Sequence, residues 1–197
     1  MGLSPLLEVR RLAIADVLEI VPKRFGDNRG YFCEVYNQER FAAESGTALR
    51  FSQINQSLSA EKATLRGLHF QAPPFAQTKL VWVVRGAVFD VAVDIRAGSP
   101  TYGKWASVLL SAESGNQILV PAGFAHGFLT LEPDTIVQYQ VDNPYSPDHD
   151  RGIRWDDPEI AVAWPLAGAA PTLSKRDAVF PLLAEITTPF HSAGAGA

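Results

Sequence analysis

The chain has 197 residues, enough for one domain with a sizeable core. A net charge of −4 argues against a general affinity for nucleic acid, although a local basic pocket is compatible with an acidic whole. The lone Cys33 excludes an internal disulfide and suits a reducing compartment, no apolar stretch approaches the length of a membrane span, and the first twenty residues lack the order of a signal peptide, so a cytoplasmic protein is expected.

In chain order, Val17 to Arg24 reads as a strand. Asp27-Asn28-Arg29-Gly30 is a tight turn, and Tyr31 to Tyr36 resumes extended structure. Asn37 caps a short helix over Gln38 to Glu44, which Gly46 stops. Ala48 to Leu58 returns to a strand with Phe51, Gln53, Asn55 and Ser57 on one face. That face is unusually polar: either it is solvated or it lines a cavity.

From Leu65 the strands come close together. Ala87 to Arg96 is a strand that follows Gly86, and the Arg85-Gly86 turn implies a hairpin with the strand before it. After a Gly-, Ser- and Pro-rich loop at 97–103 come four short strands: Lys104 to Ser111, Asn116 to Val120, Ala125 to Leu131 and Thr135 to Val141. Turn signals at roughly ten-residue spacing indicate an antiparallel sandwich or barrel. Asn143 to Arg151 is a polar loop, one short helix is expected near Lys175 to Ala178, and the final SAGAGA reads as a frayed tail. The whole reads as a single domain: a barrel core at about 48–142, N-terminal strands within 1–47, a packed C-terminal segment 143–185 and a tail 186–197.

The stretch Leu65 to Gly86 carries the chemistry. Arg66 and His69 stand three apart, so on a regular strand they point to opposite faces unless Gly67 supplies a kink. Lys79 opens the apolar run Leu80 to Val84, where a charge is costly unless it has a partner or a task. Convergence of an arginine, an imidazole and an ammonium would make an anion-binding, proton-moving pocket.

Gly115-Asn-Gln-Ile-Leu-Val-Pro121-Ala-Gly123-Phe-Ala-His126 fits the second cupin motif, G-x5-P-x-G-x2-H, in which a barrel strand and a tight corner deliver a histidine to the barrel mouth. A jelly-roll barrel is the resulting expectation. In metal-binding cupins the first motif runs His-x-His and then Glu. Here Gln71 replaces the second histidine and Lys79 stands in place of the Glu, six residues before Gly86. A cation there repels a divalent metal, so a metal-free pocket is expected, with His69 released for acid–base work.

Arg66-Gly-Leu-His69-Phe-Gln71, Gln77-x-Lys79-Leu-Val, Asp90-Val-Ala-Val-Asp94-Ile-Arg96-x-x-Ser99-Pro-Thr101-Tyr-Gly103 and Ala125-His126-Gly-Phe128 resemble the dTDP-4-dehydrorhamnose 3,5-epimerase family. Asp27-x-Arg29-Gly30-x-Phe32-x-Glu34, Gln53-x-Asn55-x-Ser57 and Leu173-Ser174-Lys175-x-Asp177 extend the resemblance over roughly residues 15 to 182. It implies an all-β, cupin-like barrel without a cofactor. The implied enzyme epimerises C3 and C5 of dTDP-4-dehydro-6-deoxy-D-glucose, serving dTDP-L-rhamnose synthesis and cell-surface polysaccharide supply.

The resemblance also implies roles. His69 is the base, Asp177 the carboxylate that orients it, Tyr139 the acid on the opposite face with Tyr145 as the fallback, and Lys79 the charge beside the enolate oxygen. Arg29, Arg66 and Lys175 are expected on the pyrophosphate or sugar, and Glu34, Gln53 and Asn55 on the nucleotide and sugar. His126 lines the sugar pocket, and Asp150 or Asp148 takes the place of a family glutamate. Relatives exchange N-terminal strands between subunits, so a homodimer is expected. Competing readings are an epimerase acting at C3 or C5 alone, a sugar-nucleotide-binding barrel without turnover, and a metal cupin, which Gln71 and Lys79 disfavour.

Overall fold

In the computed structural model, residues 6–192 are described. The described residues form thirteen strands, one α-helix and three short 3-10 turns, and two antiparallel sheets face each other. The six-stranded sheet runs β1 (Leu7–Arg11), β2 (Leu18–Pro22), β10 (Gln117–Val120), β7 (Lys79–Arg85), β12 (Thr135–Val141) and β5 (Gln53–Ser59). The five-stranded sheet runs β13 (Asp150–Gly152), β6 (Leu65–Gln71), β11 (Phe124–Thr130), β8 (Ala87–Asp94) and β9 (Trp105–Ser111). A separate hairpin pairs β3 (Arg24–Asp27) with β4 (Gly30–Cys33). This is the expected jelly-roll arrangement.

Alternation of apolar residues along the strands puts one set between the sheets. Val81, Val83, Val88, Ala92, Leu110, Ile118, Phe128 and Val137 form that inner core. Two further layers cover the outer faces. The C-terminal segment lays Ile153, Ile160, Leu183 and Phe190 on the back of the five-stranded sheet, against Phe70, Val91 and Val93. Helix α1 (Gln38–Ser45) lays Phe41 against Ile20, Leu80 and Leu119 of the six-stranded sheet. Its ends are those the sequence announces: Asn37 accepts the Arg40 N–H, and Gly46 closes the helix at φ 71°.

Several boundaries differ from the expectation, and the expected hairpin at Arg85-Gly86 does not form: the chain crosses there from β7 in the six-stranded sheet to β8 in the five-stranded one. Val17 to Arg24 is not one strand: β2 ends at Pro22, and Lys23 hands its N–H to the Leu6 carbonyl before β3 starts. Strand β5 begins at Gln53, not Ala48. Strand β1 has no counterpart in the sequence reading. The short helix near Lys175 is a single 3-10 turn at Asp177–Val179. Of the expected tail, Phe190 stacks edge-on with Phe70 and Ala97 bridges to His191, because these aromatic and backbone groups find partners on the barrel end. Residues 193–197 of the SAGAGA stretch lie outside the described residues. No described helix is long and apolar enough to cross a membrane.

Candidate active site

Strand β6 is kinked where the sequence suggested. Against β11, His69 pairs with His126 and Arg66 with Phe128, so three steps on β6 match two on β11. Gly67 sits in the kink at φ +140°, and a Cβ there would come within 2.6 Å of the Gly127 Cα. The irregularity restores Arg66 and His69 to the same side, and both line one cavity between the sheets.

That cavity has two lobes that share His69, Lys79 and Tyr139. One, of about 280 Å³, adds Arg66, His126, Phe128, Arg176 and Asp177. The other, of about 250 Å³, adds Gln53, Asn55, Tyr145 and Asp150. The polar face of β5 is therefore a cavity wall, while Ile54, Gln56 and Leu58 point outward and are exposed.

His69 Nε2 lies 2.6 Å from Asp177 Oδ1. Asp177 is buried, its own N–H held by the Ser174 hydroxyl at 3.1 Å. A second imidazole, His126, is bonded through Nε2 to Asp90 at 2.8 and 3.0 Å, and Asp90 is fully buried. Across the cavity the Lys79 ammonium makes no hydrogen bond or ion pair among the described residues. Desolvation lowers its pKa to about 8, against the opposing pull of the Asp150 and Asp90 carboxylates. The Tyr139 phenol, on β12, also makes no hydrogen bond among the described residues. Burial first, then the Asp150 charge, raises its pKa above the ordinary value, with Arg66 opposing, so the phenol is held neutral.

Asp150 accepts from Arg176 Nη1 at 2.5 Å and from the Tyr145 phenol at 3.0 Å. Burial works to raise its pKa, but these two hydrogen bonds and the guanidinium charge outweigh it and hold the carboxylate below its ordinary value. Arg66 spends Nε on Ser59 and Nη2 on the Leu58 carbonyl, leaving Nη1 without a hydrogen bond among the described residues.

Not every expected site residue reaches this cavity. Lys175 is exposed and absent from its lining; Arg176 takes that place, because the 3-10 turn that presents Asp177 to His69 also brings the preceding residue round to Asp150. Asp150, not Asp148, faces the lobe. Gln53 lines it but has committed its amide oxygen to the Tyr145 N–H and its nitrogen to Asn55. Arg29 stands at the exposed tip of the β3–β4 hairpin, paired with Asp27, and Glu34 pairs with Arg40 on the outer side of the six-stranded sheet, so within one chain neither lines the lobes around His69. Asp90 went unassigned in the sequence reading, although a carboxylate inside the apolar run of β8 already signals a partner. Among the described residues no group of three or more His, Cys, Asp or Glu side chains is arranged to hold a metal.

Fold and site together define a cupin-like jelly roll whose cavity gathers a carboxylate-held imidazole, a neutral phenol and an ammonium that is unpaired among the described residues. The dTDP-4-dehydrorhamnose 3,5-epimerase family profile matches residues 11–185. A dTDP-4-dehydrorhamnose 3,5-epimerase of Sinorhizobium fredii is 54% identical over 180 residues, 91% of each chain. Among solved structures, the dTDP-6-deoxy-D-glucose-3,5-epimerase of Legionella pneumophila, in complex with dTDP-4-keto-L-rhamnose, superposes with a TM-score of 0.90 at 42% identity, covering 95% of this chain and all of that one. The Bacillus anthracis dTDP-4-dehydrorhamnose 3,5-epimerase with TDP and pyrophosphate bound gives a TM-score of 0.86 at 48% identity, covering 89% of this chain and 99% of that one. The chain belongs to the dTDP-4-dehydrorhamnose 3,5-epimerase family.

Proposed function

We propose that the chain inverts C3 and C5 of dTDP-4-dehydro-6-deoxy-D-glucose, giving dTDP-4-dehydro-L-rhamnose for dTDP-L-rhamnose synthesis in the cytoplasm. The observation that carries this reading is the His69–Asp177 pair facing Tyr139 and Lys79 across one cavity. The C4 ketone acidifies the C–H bonds on both neighbouring carbons. His69 removes a proton, and Asp177 fixes the imidazole and steadies the imidazolium that forms. The electron pair moves into an enolate whose oxygen meets Lys79, a charge more useful in the transition state than in the ground state. Tyr139 returns a proton from the other face and the configuration inverts. His126 lines the sugar, and Arg66 and Arg176 bind the pyrophosphate.

The test is proton NMR of the nucleotide sugar with EDTA-treated protein in D₂O. Deuterium at both C3 and C5, with reduction trapping the L-rhamno sugar, is the expected result. Exchange at one carbon moves the assignment to a mono-epimerase, and no exchange leaves a binding barrel.

We also infer a homodimer in which the β3–β4 hairpin crosses to the neighbour. Phe25, Tyr31, Phe32 and Val35 on and after the hairpin, and Ile54, Leu58 and Val84 on the outer sheet face, are all large apolar side chains left exposed by one chain. Crossing would carry Arg29 and Glu34 to a cavity they do not reach at home. Co-expressing Arg29→Ala and His69→Ala chains discriminates. If Arg29 acts across the interface, the mixed dimer regains one intact site and measurable exchange; if it acts at home, both sites stay dead.

A further inference from the structure

Gln71 occupies the strand position where metal cupins carry a second histidine, and its amide is turned to a different use. It is 3% exposed. Its nitrogen donates to the carbonyls of Phe75 at 2.7 Å and Pro144 at 3.1 Å, and its oxygen accepts the Ser146 N–H at 2.8 Å. From the opposite sheet, Gln53 accepts the Tyr145 N–H at 3.2 Å. Three successive backbone groups at 144–146 are thus held by two glutamines, one on β5 and one on β6. Gln77 and Asn143 stitch the same two loops by donating to the Asn143 and Ala76 carbonyls at 2.8 and 2.7 Å. Held there, the Tyr145 phenol reaches Asp150, and both line the smaller lobe.

We propose that Gln71, with Gln53 as its counterpart, is a positioning residue for nucleotide recognition: it lines the smaller lobe, but its amide is spent on the 71–75 and 144–146 backbone, and it acts by fixing Tyr145 beside Asp150 in that lobe. The inference rests on the functional reading above. A buried amide with all its groups engaged cannot turn to a ligand without orphaning them. Tyr145 itself is 55% exposed, so without the clasp its ring would have to be ordered at the expense of binding. His69 lies two residues before Gln71 on the same strand, so one strand carries both the proposed base and the loop anchor.

The test is a double-mutant cycle on dTDP affinity, measured by calorimetry, with steady-state kinetics on the same proteins. Gln71→Ala should weaken dTDP about tenfold and raise KM similarly, with kcat within about twofold of wild type. In a Tyr145→Ala background the same substitution should cost nothing further. Unchanged affinity in Gln71→Ala, an equal loss in both backgrounds, or a fall in kcat alone overturns the proposal. Should Gln71→Ala fail to fold, Gln53→Ala on the edge strand takes its place in the cycle. Wild-type protein without affinity for dTDP would sink the functional reading itself, and that is seen before any variant is made.

Discussion

His69 and His126 are direct cross-strand partners on β6 and β11, and each is bonded through Nε2 to its own buried carboxylate, Asp177 and Asp90. Two imidazole–carboxylate pairs therefore stand side by side on one wall, each with Nδ1 free of hydrogen bonds among the described residues. Only the first is assigned the proton abstraction, which makes the two carboxylates unequal. Asp177→Asn should slow deuterium wash-in at both C3 and C5 by on the order of 10²–10⁴, since the amide disturbs tautomer and charge at the base. Asp90→Asn should cost only about tenfold, through sugar binding. Equal losses would mean that His126 is also a base, and loss at one carbon per variant would assign one carbon to each pair.

If Lys79 acts as proposed, it should set an alkaline limb. With a pKa lowered to about 8, its ammonium is present below that pH and lost above it, so kcat/KM should fall as pH rises through about 8. Tyr139 does not share this limb, because its pKa is raised and the phenol stays protonated there. A substrate pyrophosphate held by Arg66 and Arg176, as proposed, would add negative charge to the cavity that Lys79 also lines and favour its charged form, so the limb in kcat should lie higher than that in kcat/KM. Lys79→Met should remove the limb and cost on the order of 10²–10³ in rate. A limb that persists near 8 in Lys79→Met would belong to another group.

What the sequence disclosed follows the range of each interaction. The caps of α1 were legible because Asn37 and Gly46 act within a few residues, and the kink at Gly67 was legible because Arg66 and His69 needed it to share a cavity. The pairing of His69 with Asp177 spans 108 residues, and no periodicity encodes it; only the family resemblance proposed it. Strand β1 escaped because LEVRR is short and mostly exposed, and its strand character comes from pairing with β2. Arg176, not the expected Lys175, lines the cavity, a difference of one residue in phase that depends on the geometry of the turn at 177–179.

That phase has a measurable consequence. Arg176 lines the cavity and releases a guanidinium for phosphate if Asp150 gives it up, whereas Lys175 faces solvent. Arg176→Ala should raise KM for the nucleotide sugar about 10- to 100-fold, the range for a lost charge-assisted contact. Lys175→Ala should stay within about twofold of wild type, as surface changes usually do. The reverse ranking, read from steady-state kinetics at constant ionic strength, would restore Lys175 to the site.

Gly67→Ala tests whether the kink, beyond the side chains it aims, is needed. The new methyl would sit 2.6 Å from the Gly127 Cα and 3.0 Å from the His126 carbonyl oxygen, both backbone atoms that cannot swing aside, and φ +140° is unfavourable for any side chain. The strands must part or β6 must straighten. Straightening would throw Arg66 and His69 to opposite faces, so the loss of activity should exceed the loss of stability. We expect destabilisation of about 2–4 kcal/mol in urea unfolding, with exchange at C3 and C5 reduced at least as far as in Asp177→Asn even under conditions where the variant is folded. A folded Gly67→Ala protein with normal exchange would show that β6 can place His69 without the kink.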